Sequence, residues 1–404
     1  VSASVLVSDG EERSSLAAVR SLGRRGYRVY VCSKDGSSLA GASRFALADR
    51  SVPCALLNPS EFAAAIQTLI REWQIDVFLP MTEQSLNAVY ANTGMFEGVC
   101  IPSATREQFR SVSDKNRILA VAAACGLKVP EQVVLSAPAD LSSIPEAELR
   151  FPLVVKPSRS VVPKGEGQAK LGVIHCEDVE HLRRAMAKLP LTAYPLLLQQ
   201  RVIGPGVGVF LLLWDGDLVA TFAHRRLREK PPSGGVSVYR ESIRVDQSLI
   251  DRSRRLLDSF GWRGVAMIEY KLDEASGVPV IMEINGRFWG SLQLAIDAGV
   301  DFPSLLVARA LGQKVYGPAS YKVGIRSRWE WGGVDYLLAR LRRSDAELSL
   351  PAGGPGRIRS VLSALLPWLP GDRLEVLRLG DPRPFLRETA QYFRRSTRRR
   401  ASAT

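Results

Sequence analysis

The stretch Val278–Ser291, VPVIMEINGRFWGS, starts as a strand and ends as something else. As far as Met282 it is apolar and β-forming. A carboxylate, a carboxamide and a guanidinium then follow at every second position, as Glu283, Asn285 and Arg287. In extended chain, residues i, i+2 and i+4 share a face, so these three project together from one strand end. Glu269, fourteen residues upstream in GVAMIEYKLD, ends a second apolar run. The short connection Asp273–Pro279 makes the two strands antiparallel neighbours, and both acids then converge on one spot. Two carboxylates and an amide oxygen suit hard Mg2+, which keeps waters and completes its shell with phosphate oxygens. Arg287 beside them suits a phosphoryl oxygen or a carboxylate. The competing reading is structural, with both acids paired to basic neighbours at a strand end.

Outward from this stretch the chain changes character along its length. The first hundred residues alternate strand and helix: ASVLVSD, RSSLAAVRSLGRRG, YRVYVCS, PSEFAAAIQTLIREWQ and IDVFLPM. That spacing predicts a parallel α/β sheet. Its first turn, Ser8-Asp9-Gly10-Glu11-Glu12, puts two acids where a pyrophosphate would bind, which argues against a dinucleotide site. A helix is expected from Asp114 to Cys125, ended by Gly126, with Pro130 forcing extended chain beyond it. FPLVVKPS is a strand with Lys156 near its end, SRSVVPKGEGQAKLGV a glycine-rich loop, and EDVEHLRRAMAKLP a helix. From Pro195 onward the pattern is strand-rich and antiparallel, with a hairpin turn at Asp215-Gly216. Past Tyr321, DYLLARLRRS and GRIRSVLSALLPWLPGDR read as amphipathic helices, packed on the body or lying on a membrane surface.

Composition removes several function classes. The 404 residues suffice for two or three domains. No run of about 18 apolar residues suggests a membrane span, and the N-terminus VSASVLVSDG has no export-signal pattern. Five scattered cysteines read as reduced thiols of a cytoplasmic protein, and three histidines disfavour zinc or histidine-driven hydrolysis. The net charge of +13 fits anionic substrates, an anionic membrane surface or nucleic acid. Part of it lies in the tail QYFRRSTRRRASAT, whose other reading is a solvated, partly disordered end. Aromatics barely interleave with these arginines, so base stacking on nucleic acid is unsupported.

Other cations are placed to complete a phosphate site. Lys156 closes an apolar strand, Lys115 opens a helix where its dipole would favour an anion, and Lys164 sits beside Gly165 in the glycine-rich loop. In HRRLREKPPSGG, Arg225, Arg226, Arg228 and Lys230 precede a flexible tip and read as an anion clamp. With these in view, SDKNRILAVAAACGLKVP, FPLVVKPS, LLLQQRVIGPGVGVF and GVAMIEYKLDEASGVPVIMEINGRFWGSLQLAIDAGVDFP together resemble the ATP-grasp superfamily. The likeness is to short forms similar to the large subunit of carbamoyl-phosphate synthetase, over roughly residues 1–315.

The resemblance implies α/β then α+β architecture in four parts. Residues 1–105 would be a Rossmann-like parallel α/β domain, and 106–195 a linker helix with the central lid subdomain. Residues 196–315 would form a C-terminal antiparallel lobe, and 316–404 a basic extension. It implies ATP between two lobes, with Lys115 and Lys156 toward phosphates and adenine and Gln199, Gln200 and Val202 at the adenine edge, while Lys164 of the glycine-rich loop reads as lying near the phosphates. Glu269, Glu283 and Asn285 would hold two Mg2+ ions, replaceable by Mn2+, with Arg287 and Arg226 catalytic. The run Gly204-Pro205-Gly206-Val207-Gly208 departs from relatives that carry a ribose-holding carboxylate there.

The activity so implied is a carboxylate–amine ligase acting on a small or peptide-like acid through an acylphosphate. Carbamoyl-phosphate-like chemistry on bicarbonate and a non-catalytic ATP-binding or membrane-surface module are the rivals. Homodimers are common among chains of this resemblance.

Overall fold

The computed structural model describes residues 2–348, 350, 356–365 and 371–401. Strands β1 (Ser4–Val7), β2 (Arg28–Ser33), β3 (Ala46–Ser51) and β4 (Val77–Leu79) form a parallel sheet in the order β3-β2-β1-β4. The sequence pattern misses β3 because it is a half-exposed edge strand without apolar alternation. Helices α1 (Arg13–Arg24), α2 (Pro59–Trp73) and α3 (Glu83–Ala91) follow β1, β3 and β4 or lie between them. In β1, Val5 and Val7 face a core with Leu16 and Leu22 of α1, while Leu6 faces the opposite core with Ile66 and Phe78. Thr82 caps α3 by accepting from Ser85 N, which sets Glu83 at the carboxyl end of the sheet. In open α/β sheets that end is where ligands bind.

Next come α4 (Arg106–Val112) and α5 (Lys115–Ala124), the latter N-capped by Asp114, with Gly126 in the left-handed region beyond its end. An antiparallel sheet then uses β5 (Gln132–Leu135) and β6 (Leu153–Pro157). The stretch expected as a glycine-rich loop is instead a hairpin, β7 (Val161–Lys164) and β8 (Gly167–Lys170), turning through Gly165. It rests on the first domain: Gln168 N donates to Leu56 O at 2.7 Å and Asn87 Nδ2 donates to Gln168 Oε1 at 3.1 Å. β9 (Ile174–Cys176), α6 (Val179–Met186) and β10 (Leu196–Gln200) complete this unit in the order β5-β10-β6-β9, with Leu182 of α6 over Val155 and Leu198.

The third unit is built on β11 (Gly206–Trp214), β12 (Asp217–Lys230), β13 (Val236–Ser242), β14 (Gly264–Leu272) and β15 (Pro279–Asn285), with α7 (Gln247–Asp258) between β13 and β14. Asp215 and Gly216 both take positive φ in the β11–β12 turn, as the twist of a two-residue hairpin requires. Val207, Val209 and Leu211 point toward α5 and α7, while Phe210 and Leu212 point toward α8 (Leu292–Ala298), α9 (Phe302–Ala310) and α1. The sheet is therefore buried on both faces.

The chain beyond 315 is woven into this body. β16 (Arg326–Arg328) and, after α10 (Glu330–Arg342) and α11 (Arg357–Leu365), β17 (Asp372–Leu374) extend the sheet to the order β15-β14-β11-β12-β13-β16-β17. The first amphipathic segment is helical through Arg342 and the second over 357–365, while Asp372 and Arg373 of the second belong to β17; residues 366–370 lie outside the described residues, as do 402–404 of the tail. The arginine-rich tail is not an irregular end: it forms α12 (Arg383–Ala401). Among the described residues no helix is long and apolar enough to cross a membrane.

Buried ion pairs fasten this C-terminal segment to the first domain. Glu375 is 2% exposed and pairs with both Arg13 of α1 and Arg240 of β13. Burial alone would raise its pKa, but the two guanidiniums hold it below the usual carboxylate range. Asp381 takes Arg20 Nε at 2.8 Å, and Arg20 also donates to the carbonyl oxygens of Val376 and Asp381. Glu375→Gln leaves buried Arg240 without its counter-charge and should cost about 3–5 kcal/mol in urea unfolding. Glu388 of α12 is pushed up to about 7 by burial, with Glu330 adding to it against a hydrogen bond from Trp329. Its folded pKa lies above the unfolded 4.5, so its protonated form stabilises the fold below about 4.5 and that contribution is lost as pH rises through about 7. Glu388→Gln should therefore melt higher than wild type at pH 8 and close to it at pH 4, by thermal unfolding at both.

Candidate active site

The register of β14 against β15 sets Glu269 directly opposite Glu283 and Met267 opposite Asn285, with a bulge just after Glu269. Bulges of this kind re-aim side chains beside functional sites. The row continues across the sheet: Glu269 pairs with Gly208 of β11, and Gly208 pairs with His224 of β12. Gly206, two residues earlier, pairs with Lys271. The two glycines leave this face of β11 bare. A Cβ at Gly206 would lie 2.7 Å from Arg226 Cδ, and one at Gly208 would lie 2.8 Å from His224 Nε2. The GPGVGV run, conspicuous for lacking a carboxylate, thus makes the room through which Arg226 reaches Glu269.

That reach decides the local electrostatics. Arg226 Nη2 lies 2.5 Å from Glu269 Oε2, and Arg226 Nη1 lies 2.8 Å from Glu229 Oε1. Burial raises the Glu269 pKa and Glu283 adds to the rise, while Arg226 opposes both. For Glu283, burial also acts upward, but Lys115 and Lys156 outweigh it and hold the carboxyl below its ordinary value. Lys115 Nζ is 3.8 Å from Glu283 Oε2 and donates to Ser160 Oγ at 2.8 Å. Burial lowers the Lys156 pKa, with Lys115 adding to the fall and Glu283 opposing it. Asn285 Nδ2 donates to Glu283 Oε1 at 3.0 Å, and Arg287 Nη2 donates to Asn285 Oδ1 at 3.2 Å.

Lys115, Glu283, Asn285 and Arg287 line one polar cleft between α5 and β15. Arg226, Glu269, Glu283, Asn285 and Arg287 line an adjoining pocket of about 180 Å³ on the sheet face. Lys156 belongs to the same charge cluster. Lys164, exposed at the end of β7, and the exposed Gln200 and half-buried Val202 line neither space. Gln199 is buried, donating from Nε2 to Gln132 at 2.8 Å while its Oε1 has no partner. Three of the four cations expected as a clamp are committed elsewhere, Arg225 to Glu241, Lys230 to Asp335 and Arg228 over the Tyr239 ring, while Arg226 is held in the site by Glu269.

Four residues of the site escape the sequence reading: Glu83, Ser160, Arg13 and His224. Glu83 lines the cleft, its pKa raised by burial and by Glu283 while Arg287 and Lys115 oppose the rise. Its signal was its place just past IDVFLPM, at the end of a parallel strand. His224 had a signal too, two residues before Arg226 and so on its face of the strand. Ser160 and Arg13 had none, since tertiary packing alone brings them in.

The donor set fits Mg2+. Glu269 and Glu283 face each other across one ladder, Asn285 adds an amide oxygen, and Glu283 is kept ionised. Among the described residues no three His, Cys, Asp or Glu side chains cluster as a metal site. A cation here would take most of its shell from phosphate and water.

Residues 192–331 match the family described as ATP-grasp in the biosynthetic pathway with Ter operon. Solved structures align over three quarters or more of this chain. L-amino acid ligase from Bacillus licheniformis superposes with TM-score 0.58 at 16% identity, covering 76% of this chain and 74% of that one. Biotin carboxylase from Campylobacter jejuni, in a beta-gamma-ATP complex, gives 0.62 at 16% identity over 80% and 74%. N5-carboxyaminoimidazole synthetase from Staphylococcus aureus, complexed with ADP, gives 0.61 at 15% over 80% of each chain. No curated protein matches the sequence.

Gly286 separates Asn285 from Arg287, and a Cβ on it would come within 2.3 Å of the Trp262 ring. Gly286→Ala should therefore lose about 1–3 kcal/mol in urea unfolding through overpacking, and disturb the Asn285–Arg287 contact with it.

Proposed function

We propose, from the ATP-grasp fold that this chain adopts and that its motifs resemble, an ATP-dependent ligase that activates a carboxylate as an acylphosphate and passes it to an amine. The observation that carries this reading is the convergence of Glu269, Glu283, Asn285, Lys115 and Arg287 at one strand end between two lobes. A carboxylate oxygen of the acid attacks the γ-phosphorus of ATP, an O–P bond forms, and the bond to the β–γ bridging oxygen breaks to release ADP. The amine nitrogen then attacks the acyl carbon, a C–N bond forms, the C–O bond to phosphate breaks, and the amine gives up a proton.

Each residue has an electrostatic task in this scheme. Lys115 and Lys156 offset the charge of the nucleotide phosphates, and Arg287 holds the transferring phosphoryl oxygens. Glu269, Glu283 and Asn285 would hold Mg2+, which when bound supplies charge neutralisation of the phosphates. Arg226 keeps Glu269 in place from β12, across the bare face of β11. The β7–β8 hairpin, lying against the first domain, shields the acyl group from water. The similar structures include a ligase, a carboxylase and a synthetase, so bicarbonate belongs among the acids to be tried.

The test is ADP release from Mg·ATP over a matrix of acids, bicarbonate included, and amines, with Glu283→Ala alongside. Turnover with a particular acid–amine pair should appear in wild type and fall at least about 100-fold in Glu283→Ala, as expected on losing a charge-positioning group. Turnover that survives Glu283→Ala unchanged would sink the assignment.

A further inference from the structure

The pocket beyond the two glutamates contains a buried group that the reaction scheme leaves unused. His224 is 1% exposed, lines that pocket with Glu269 and Glu283, and has no hydrogen-bond partner at either ring nitrogen. Buried polar groups are as a rule hydrogen-bonded, and here one side chain carries two nitrogens that are not. Its ring is held edge-on to Phe210, with centroids 4.8 Å apart, and the missing side chain at Gly208 leaves space over Nε2. It stands in the same cross-strand row as the two acids, on the far side of the glycine gap.

We infer that His224 is a specificity-determining residue, resting on the ligase reading: it recognises an uncharged hydrogen-bonding group, a hydroxyl or an amide, on the acid substrate's far end. Burial, with Arg226 and Arg240 nearby, holds the imidazole well below its ordinary pKa and so neutral. A neutral imidazole has one N–H donor and one acceptor nitrogen. A hydroxyl or an amide both donates and accepts, and so pairs with whichever ring nitrogen faces the pocket, in either tautomer. An anion pairs only with the N–H form, and an ammonium would meet two guanidiniums. The pocket that His224 lines measures about 180 Å³. Trp289 and Met267 supply its apolar wall.

The experiment follows the His224 ring directly. The chain has three histidines, so isotope-labelled histidine gives three ring signals, and His224→Gln assigns the one of interest. Wild-type protein is titrated with small acids in matched pairs, one bearing a terminal hydroxyl or amide and the other a methyl, with and without a non-hydrolysable Mg·ATP analogue. The His224 ring nitrogens should shift with the polar acids and not with their methyl counterparts. In ADP release, His224→Leu should lose about 10- to 100-fold in kcat/KM on polar acids, chiefly through KM, and little on methyl acids. His224→Gln should recover part of that loss. Ring signals that no acid moves, or kcat/KM in His224→Leu equal to wild type on every acid, would overturn the inference. Failure of wild type to bind the Mg·ATP analogue would sink the ligase reading separately, and the ring signals would still decide the subsite either way.

Discussion

Two carboxylates placed directly opposite each other on neighbouring strands repel, and like-charge pairs of this kind destabilise a sheet. Glu269 and Glu283 are such a pair, and much of the surrounding structure serves to offset them. Arg226 arrives from β12, Lys115 from the start of α5, and Lys156 from the central sheet. The cations come from three elements far apart in sequence, so the site exists only when the lobes are packed together. The two acids also end up unequal. Glu283, between two lysines, stays firmly ionised, whereas Glu269 depends on one arginine that it shares with Glu229.

The bare face of β11 is the steric counterpart of this charge balance. Side chains at Gly206 and Gly208 would block Arg226 and His224, so the strand next to the acids has to be glycine at alternate positions. Loss of side-chain packing there is compensated on the opposite face, where Val207 and Val209 lie in a core with α5 and α7. One strand thus separates a packed core from a reaction pocket, using the two-residue periodicity of extended chain.

The C-terminal ninety residues or so hold this arrangement to the first domain. Glu375 pairs with both Arg240 of β13 and Arg13 at the pocket, and Arg13 also stacks over Trp329 with its guanidinium carbon 3.9 Å from the ring centroid. Asp381 pairs likewise with Arg20 inside α1. Part of the large positive charge is therefore structural, spent on buried pairs that join α1, β13 and the segment after β17.

By itself, the sequence determined the elements with strong local periodicity and the residues that share a strand. The parallel first domain, the Asp215-Gly216 hairpin, the helix opened by Lys115, and the triplet Glu283, Asn285 and Arg287 were legible because period two and helix caps are local rules. So was the antiparallel return that sets Glu269 beside Glu283, since a short connection leaves little choice. Tertiary structure alone decided what joins elements distant along the chain: Arg226 as partner of Glu269, Ser160 and Arg13 at the site, and β16 and β17 as the strands that extend the large sheet beyond β13. These depend on which strand lies next to which, and on charges neutralised across hundreds of residues, neither of which leaves a trace in local pattern.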